Sequence, residues 1–385
     1  MQIAGLICEY NPFHWGHLFQ INEIKKTFSP YIVAIMSSNF TQRGEPSVIS
    51  KFSRARLAVD MGVSLVLELP TIYSSSSAKN FSLGGISILK SLGIIDKLYF
   101  GCENDYRFLE EINNKIIDNF DKSKLESNIK KGYSYLKAME MSFDFLSEEE
   151  LNVLNKPNNK LAIEYIRAIE KLRADFSFCG ILRKKTYHND LSYSGKFSSS
   201  SFIRKLLYDK KDISTFIPYG SNNFKDLHFL DDLYDLFKFK ILTYRIDYDS
   251  YMDYEKGLEN RIFNNLNACN VYDFINKVNS KRYTSSRIKR LMIEILLDIR
   301  RDLVKNALNV DYIRVLAMDD RGREILNLIK NEKIIKFKEN YDKSSGVLKE
   351  LMNIECKATN IYNLKNSIMN EDFTKSPYVK KKLRG

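Results

Sequence analysis

Short runs of apolar residues, each about the length of a strand, punctuate the first part of the chain: IAGLICEY (3–10), YIVAIMS (31–37), SLVLEL (64–69), KLYFGC (97–102) and FSFCGILR (176–183). Between them apolar residues recur at helical spacing, near 17–28, 50–62, 77–92, 107–131 and 158–172. Near-continuous apolar strands separated by helices predict a parallel sheet covered on both faces. Right-handed crossovers make this a Rossmann-like, doubly wound α/β domain. Ligands of such sheets bind beyond the carboxyl ends of the strands, where the winding reverses.

The pattern changes after FIPYGSNN (216–223), whose Pro, Gly and paired Asn read as a linker. Beyond it Leu, Ile and Phe return at helical spacing and strand runs are scarce. The expected organisation is a catalytic α/β domain over 1–218 and a mostly helical C-terminal domain over 219–385. The last stretch, KSPYVKKKLRG (375–385), reads as a mobile basic tail.

Composition adds limits. The 385 residues, 44% hydrophobic and 28% charged, suit a soluble globular protein. No run is apolar enough to cross a membrane, and the chain opens directly into a strand-like run, so a cytoplasmic protein is expected. Five dispersed cysteines have no zinc-ligand spacing and predict reduced thiols with no structural metal. The formal charge of +12 hints at a polyanionic partner such as nucleic acid.

The candidate chemistry begins at GLICEYNPFHWGH, where two of only four histidines flank a glycine. His14 and His17 fall between the end of the first strand and the start of a helix, where free backbone N–H groups and the helix dipole favour an anion. Gly16 would let a phosphate or an adenine approach the backbone. Imidazole N–H groups there would stabilise charge growing on a phosphate. HxGH after a first strand resembles the signature of the nucleotidyltransferase superfamily, which includes the class I aminoacyl-tRNA synthetases. KFSSSSFIRKLL (196–207) resembles that superfamily's ISSTxIR motif. Ser199, Ser201 and Arg204 would then hold the β- and γ-phosphates or the leaving pyrophosphate.

A closer resemblance follows from several blocks in order: GLICEYNPFHWGH, MSSNFTQRGEPSVISKFSRARLA, LELP, FGCE, KPNNKLAIEYIRAI, ILRKKTYHND, FSSSSFIRK and KRYTSSRIKRLM. Together they resemble the bacterial tRNA(Met) cytidine acetate ligase family over nearly the whole chain. The resemblance implies a nucleotidyltransferase-type fold. The implied activity converts acetate and ATP to acetyl-adenylate and acetylates N4 of the wobble cytidine of elongator tRNA(Met). His14, His17 and Arg204 would be catalytic, with Mg2+ on the phosphates and no metal ligand from the protein.

The ATP contacts carried over by the resemblance cover the first loop: Ile7, Cys8, Glu9, Tyr10, Asn11, Pro12, Phe13, His14, Trp15, Gly16, His17, Leu18, Phe19 and Gln20. They continue at Gly101, Asn158 and Arg183. Gly101 would admit adenine or ribose, Asn158 would read an adenine edge or a ribose hydroxyl, and Arg183 would pair with phosphate. The sequence departs from the family at Trp15, at Ser38 in place of a glycine, and in the serine-rich SSSSFIR.

A wobble base sits in a single-stranded loop, so its recognition calls for basic residues on phosphates and aromatic stacking. Lys281, Arg282, Tyr283, Arg287, Lys289 and Arg290 offer this combination. Arg43, Lys51, Arg54 and Arg56 add charge that would serve phosphate, tRNA or only the surface. Oligomeric state stays open between monomer and homodimer. Two other readings also stay open: a small-molecule adenylyl- or cytidylyltransferase, and a non-catalytic RNA-binding nucleotidyltransferase fold.

Overall fold

The structure is a computed structural model that describes residues 1–133, 135–183, 197–224, 226–329 and 334–381. Five parallel strands, β1 (Ala4–Cys8), β2 (Ile32–Ser37), β3 (Leu65–Leu69), β4 (Lys97–Cys102) and β5 (Ser177–Leu182), match the five apolar runs. They stand in the order β5-β4-β1-β2-β3. Because β1 has β2 on one side and β4 on the other, the winding reverses there, and a crevice opens beyond Cys8 and Cys102.

The inner strands β1, β2 and β3 are mostly apolar because both faces are covered. Along β2, Ile32, Ala34 and Met36 join Ile21, Ile24 and Ala58 in one core. Val33 and Ile35, pointing the other way, join Phe81, Ile86 and Leu89 in the second. The covering helices are α1 (Trp15–Thr27), α2 (Lys51–Asp60), α3 (Ala78–Leu92) and α4 (Pro157–Leu172). The segment 107–131, expected as one helix, is two, Tyr106–Asn119 and Lys122–Lys130. Asp121 caps the second by accepting from the Ser123 N–H, which stops the first.

The residues after 219 are mostly helical, as expected, and include α6 (Val271–Val278), α7 (Ser285–Leu297) and α8 (Gly346–Tyr362), with α5 (Ser200–Tyr208) before them. Two strands from this region nonetheless extend the sheet. β6 (Val315–Met318) pairs antiparallel with β3, and β7 (Tyr378–Val379) pairs parallel with β6. A four-residue apolar run cannot be told from a helix segment by periodicity, so β6 was hidden. The tail expected to be mobile therefore starts with a strand, whose Tyr378 hydroxyl donates to Asp60 over 3.0 Å. Residues 382–385 of that tail lie outside the described residues.

A buried ionic cluster fastens the late elements to the sheet. Glu68 on β3 lies 2.6 Å from Lys51 of α2 and 3.1 Å from Arg314 just before β6. Asp372 meets the same two cations at 2.7 and 2.8 Å, and Glu355 of α8 lies 3.9 Å from Lys51. The cluster thus holds one more carboxylate than cation. Glu355 takes the imbalance: burial first, then Glu68, pushes its carboxyl up to about 8.

Candidate active site

The loop after β1 is built on buried rings. Tyr10 turns it with a left-handed backbone (φ 48°), and its ring packs on Phe13 at 4.8 Å and His17 at 4.9 Å. Asn11 is buried, and its side chain accepts from the Val48 N–H over 2.8 Å. The Phe13 carbonyl accepts from the Tyr219 hydroxyl over 2.9 Å. The Glu9 side chain accepts from the Gln42 N–H over 2.7 Å. Of the carried-over residues, Glu9, Tyr10, Asn11 and Phe13 therefore help frame the site. From this loop and the start of α1, His14, Gly16, His17, Phe19 and Gln20 line a cleft at the switch point.

The two histidines face each other as stacked rings, centroids 3.8 Å apart and 18° from parallel. His14 is the N-cap of α1, its Nδ1 accepting from the Gly16 N–H over 3.0 Å. The His17 Nδ1 accepts from the His14 N–H over 3.2 Å. With both Nδ1 atoms accepting, each neutral ring carries its hydrogen on Nε2. Burial, then Arg183, pulls the His14 pKa down to about 3. Burial, then His14 and Arg183, holds His17 well below the usual range. The site thus has two neutral Nε2–H donors at a helix N-terminus.

Gly16 lines the cleft and also has a role inside the loop. A Cβ at this position would stand 2.9 Å from His14 Cε1, so the glycine makes room for the His14 ring. Trp15 is tied down at the rim, its indole N–H donating to the Thr215 carbonyl over 3.1 Å.

The opposite wall comes from the ends of β4 and β5: Gly101, Ile181, Leu182 and Arg183. A Cβ on Gly101 would meet only the Arg183 stem, at 3.6 Å, so the glycine keeps the cleft side open. Arg183 donates to Asn158 Oδ1 over 3.2 Å, and Asn158 Nδ2 donates to Glu103 over 2.6 Å. Asn158 therefore positions Arg183, using groups that were expected to read the nucleotide. Glu103 was missed in the sequence. Its signal was there, an acidic residue one position beyond a buried strand in FGCE.

The serine-arginine element is split between two places. Phe197 and Ser198 line the histidine cleft. Ser199 caps α5 by accepting from the Phe202 N–H over 3.2 Å. Ser201 and Arg204 line a second pocket, of about 480 Å3, together with Arg43 and Glu45. Arg204 bridges the two, donating to the Asn11 carbonyl over 3.0 Å and to Ser201 over 3.3 Å.

The cluster at 281–290 is not the open basic surface expected. Tyr283 is buried, its hydroxyl donating to the Lys256 carbonyl over 3.1 Å, so it presents no ring for stacking. Arg290 grips Asp253 with two bonds of 2.7 Å. Arg287 pairs with Glu255 at 2.6 Å, Arg282 pairs with the same carboxylate, and Lys289 pairs with Glu45. Of the six, Lys281 stays exposed with no ion pair among the described residues. The same correction applies to Lys51 and Arg54, whereas Arg43 and Arg56 stay exposed. Lys51 is in the buried ionic cluster, and Arg54 is fully buried, donating to the carbonyls of Glu9, Ser37, Ser38 and Ile49. Helix propensity and charge could not distinguish an exposed cation from one buried against a carboxylate on a distant element.

The first N–H groups of α1 are taken by His14, so the site can receive a nucleotide with its phosphates between the histidine pair and Arg183, and donate two neutral hydrogen bonds to the oxygens of one phosphate. Among the described residues no group of three His, Cys, Asp or Glu side chains could hold a metal ion, and no helix is long and apolar enough to cross a membrane.

Comparison with known proteins agrees with this fold. The HIGH nucleotidyl transferase family profile matches residues 1–376. The tRNA(Met) cytidine acetate ligase of Alkaliphilus metalliredigens is 35% identical, with 100% of both chains covered. The tRNA(Met) cytidine acetate ligase of Thermosipho melanesiensis is 33% identical, covering 91% of this chain and 87% of its own. The crystal structure of Thermotoga maritima TmcAL bound with alpha-thio ATP superposes with a TM-score of 0.86 at 29% identity, covering 99% of this chain and 100% of the other.

Proposed function

Because the chain belongs to the tRNA(Met) cytidine acetate ligase family of HIGH nucleotidyl transferases, we propose that it joins acetate to the wobble cytidine of elongator tRNA(Met) at the expense of ATP. The products are N4-acetylcytidine, AMP and pyrophosphate. The observation that carries this reading is the stacked pair of neutral histidines at the α1 N-terminus, in the switch-point cleft.

In the first step an acetate oxygen attacks the α-phosphorus and the bond to the pyrophosphate breaks. The His14 and His17 Nε2–H groups donate to the phosphorus oxygens as charge builds on them. Neutral rings suit this task, since they need no reorganisation at the moment of reaction. Arg183, held by Asn158 and Glu103, binds phosphate on the opposite wall. Arg204 and the serines at the α5 N-terminus would hold the departing pyrophosphate. Mg2+ would ride on the phosphates and neutralise their charge.

In the second step the exocyclic amine of cytidine takes the acetyl group and AMP leaves. Cytidine N4 is a weak nucleophile because its lone pair is delocalised into the ring, so activation and positioning supply most of the rate. The protein would act in the cytoplasm, where its tRNA substrate resides.

The deciding experiment supplies labelled acetate, ATP, Mg2+ and unmodified elongator tRNA(Met), followed by nucleoside analysis. Labelled N4-acetylcytidine supports the proposal. Acetyl-adenylate without labelled tRNA retains the active site and sends the acetyl group to another acceptor. Neither product returns the protein to the small-molecule nucleotidyltransferases or to a non-catalytic RNA-binding role.

A further inference from the structure

The second pocket is joined to the loop that carries His14 through Arg204, one of its lining residues: its guanidinium holds the Asn11 carbonyl and faces the Glu45 carboxylate at 3.6 Å. At about 480 Å3 the pocket is within the range of small-molecule sites, roughly 300–1,000 Å3. Its far end is aromatic. Tyr208 and Tyr272 stand at right angles, centroids 5.7 Å apart, and are 46% and 37% exposed, so ring surface is open to the pocket. Its mouth is cationic, with exposed Arg43 and Lys205. The walls come from both parts of the chain: the loop after β2, α5, and the start of α6.

Two carboxylates line this pocket, Glu45 and Asp209, and Glu45 is the one set among cations. Its Oε1 pairs with Lys289, while Oε2 faces Arg204 at a distance longer than a hydrogen bond. Burial pushes this carboxyl up, but Lys289, Arg204 and Arg43 outweigh burial and keep it ionised. An ionised carboxylate with a lone pair to spare, next to aromatic walls and a cationic mouth, suits one kind of ligand. That ligand is a splayed-out nucleoside with an exocyclic amine, still joined to its phosphates.

We propose that this pocket receives the acceptor cytidine, its base stacked on Tyr272 with the perpendicular Tyr208 ring against its edge, Arg43 and Lys205 on the flanking phosphates and Glu45 hydrogen-bonded to N4. The inference rests on the ligase reading above. During transfer the N4 lone pair attacks the acetyl carbonyl carbon and an N–C bond forms. The carbonyl carbon's bond to the adenylate oxygen breaks, AMP leaves with that electron pair, and one N4 hydrogen passes to Glu45 as a proton.

The test measures two half-reactions in the full-length enzyme: acetate-dependent ATP–pyrophosphate exchange, and acetyl transfer to elongator tRNA(Met). Tyr272→Ala should keep exchange and lower transfer kcat/KM by about 10–100-fold, the scale of one lost base stack, while Tyr272→Phe keeps both. Glu45→Gln should lower transfer kcat by about 100-fold, the scale of a lost general base, with little change in KM for tRNA. Tyr208→Ala provides the same test as Tyr272→Ala should that variant not fold. A wild type that transfers acetyl while all these variants match it removes the pocket and leaves the ligase reading intact. Equal losses in both half-reactions also overturn the pocket, because its residues would then serve the nucleotide site. A wild type that transfers no acetyl overturns the ligase reading and the pocket together.

Discussion

The imidazole of His14 lies flat against that of His17, 3.8 Å between centroids, and the two are linked by the bond from the His14 N–H to His17 Nδ1. Two protonated rings could not hold this arrangement, since like charges so close and so buried repel strongly. The pair therefore works neutral, each Nδ1 accepting from the backbone and each Nε2 carrying a hydrogen.

Replacing either histidine with alanine should lower acetate-dependent pyrophosphate exchange by about 100–1,000-fold, the usual cost of losing one transition-state donor. Binding of tRNA, measured by filter retention, should stay near wild type. Gly16→Ala should be nearly as damaging to exchange, because its methyl displaces the His14 ring.

The pH profile follows from the same pair. With the His14 pKa near 3 and that of His17 also well below its ordinary value, neither ring gains a proton between pH 5 and 8. The exchange rate should show no acid limb near 6.5 due to histidine. A limb there that disappears in His17→Asn would overturn the neutral-pair assignment.

On the opposite wall, Asn158 joins Glu103 to Arg183. Arg183→Ala should raise KM for ATP by about 10–100-fold, the scale of a lost charge-assisted hydrogen bond. Asn158→Ala and Glu103→Gln should each have a smaller effect in the same direction. Initial rates at varied ATP would rank the three.

The buried ionic cluster gives stability a pH dependence. The Glu355 carboxyl, at about 8 in the folded protein, ionises at lower pH once unfolded. Folding therefore binds a proton more tightly, so this contribution is complete at pH 4 and is lost as pH rises through 8. The melting temperature should fall over that range, and Glu355→Gln should flatten the decline.

Arg290 of α7 separates a structural role from an RNA-binding one. Its bidentate pair with Asp253 is buried, so Arg290→Ala should destabilise the fold by about 3–5 kcal/mol in urea unfolding, the cost of stranding one buried charge. Lys281→Ala, at an exposed residue, should leave unfolding unchanged.

Much of this was legible along the chain. The five strands, their parallel direction and the crevice position follow from apolar runs alternating with helical patterns, because a strand covered on both faces shows no polar alternation. His14 and His17 were legible because a strand end followed by a helix start is a local arrangement that chemistry can read directly. The tertiary structure decided which charges are free. Lys51, Arg54 and Arg290 look like surface cations in sequence, yet each is buried against carboxylates or carbonyls brought from other elements, as Arg314 and Asp372 show by joining Lys51 from more than 200 residues away. It also decided that Asn158 serves Arg183, that β6 and β7 extend the sheet, and that Glu45, Tyr208 and Tyr272 share one pocket. Local sequence encodes propensity and periodicity, whereas the pairing of distant charges and rings depends on which surfaces meet when the chain closes on itself.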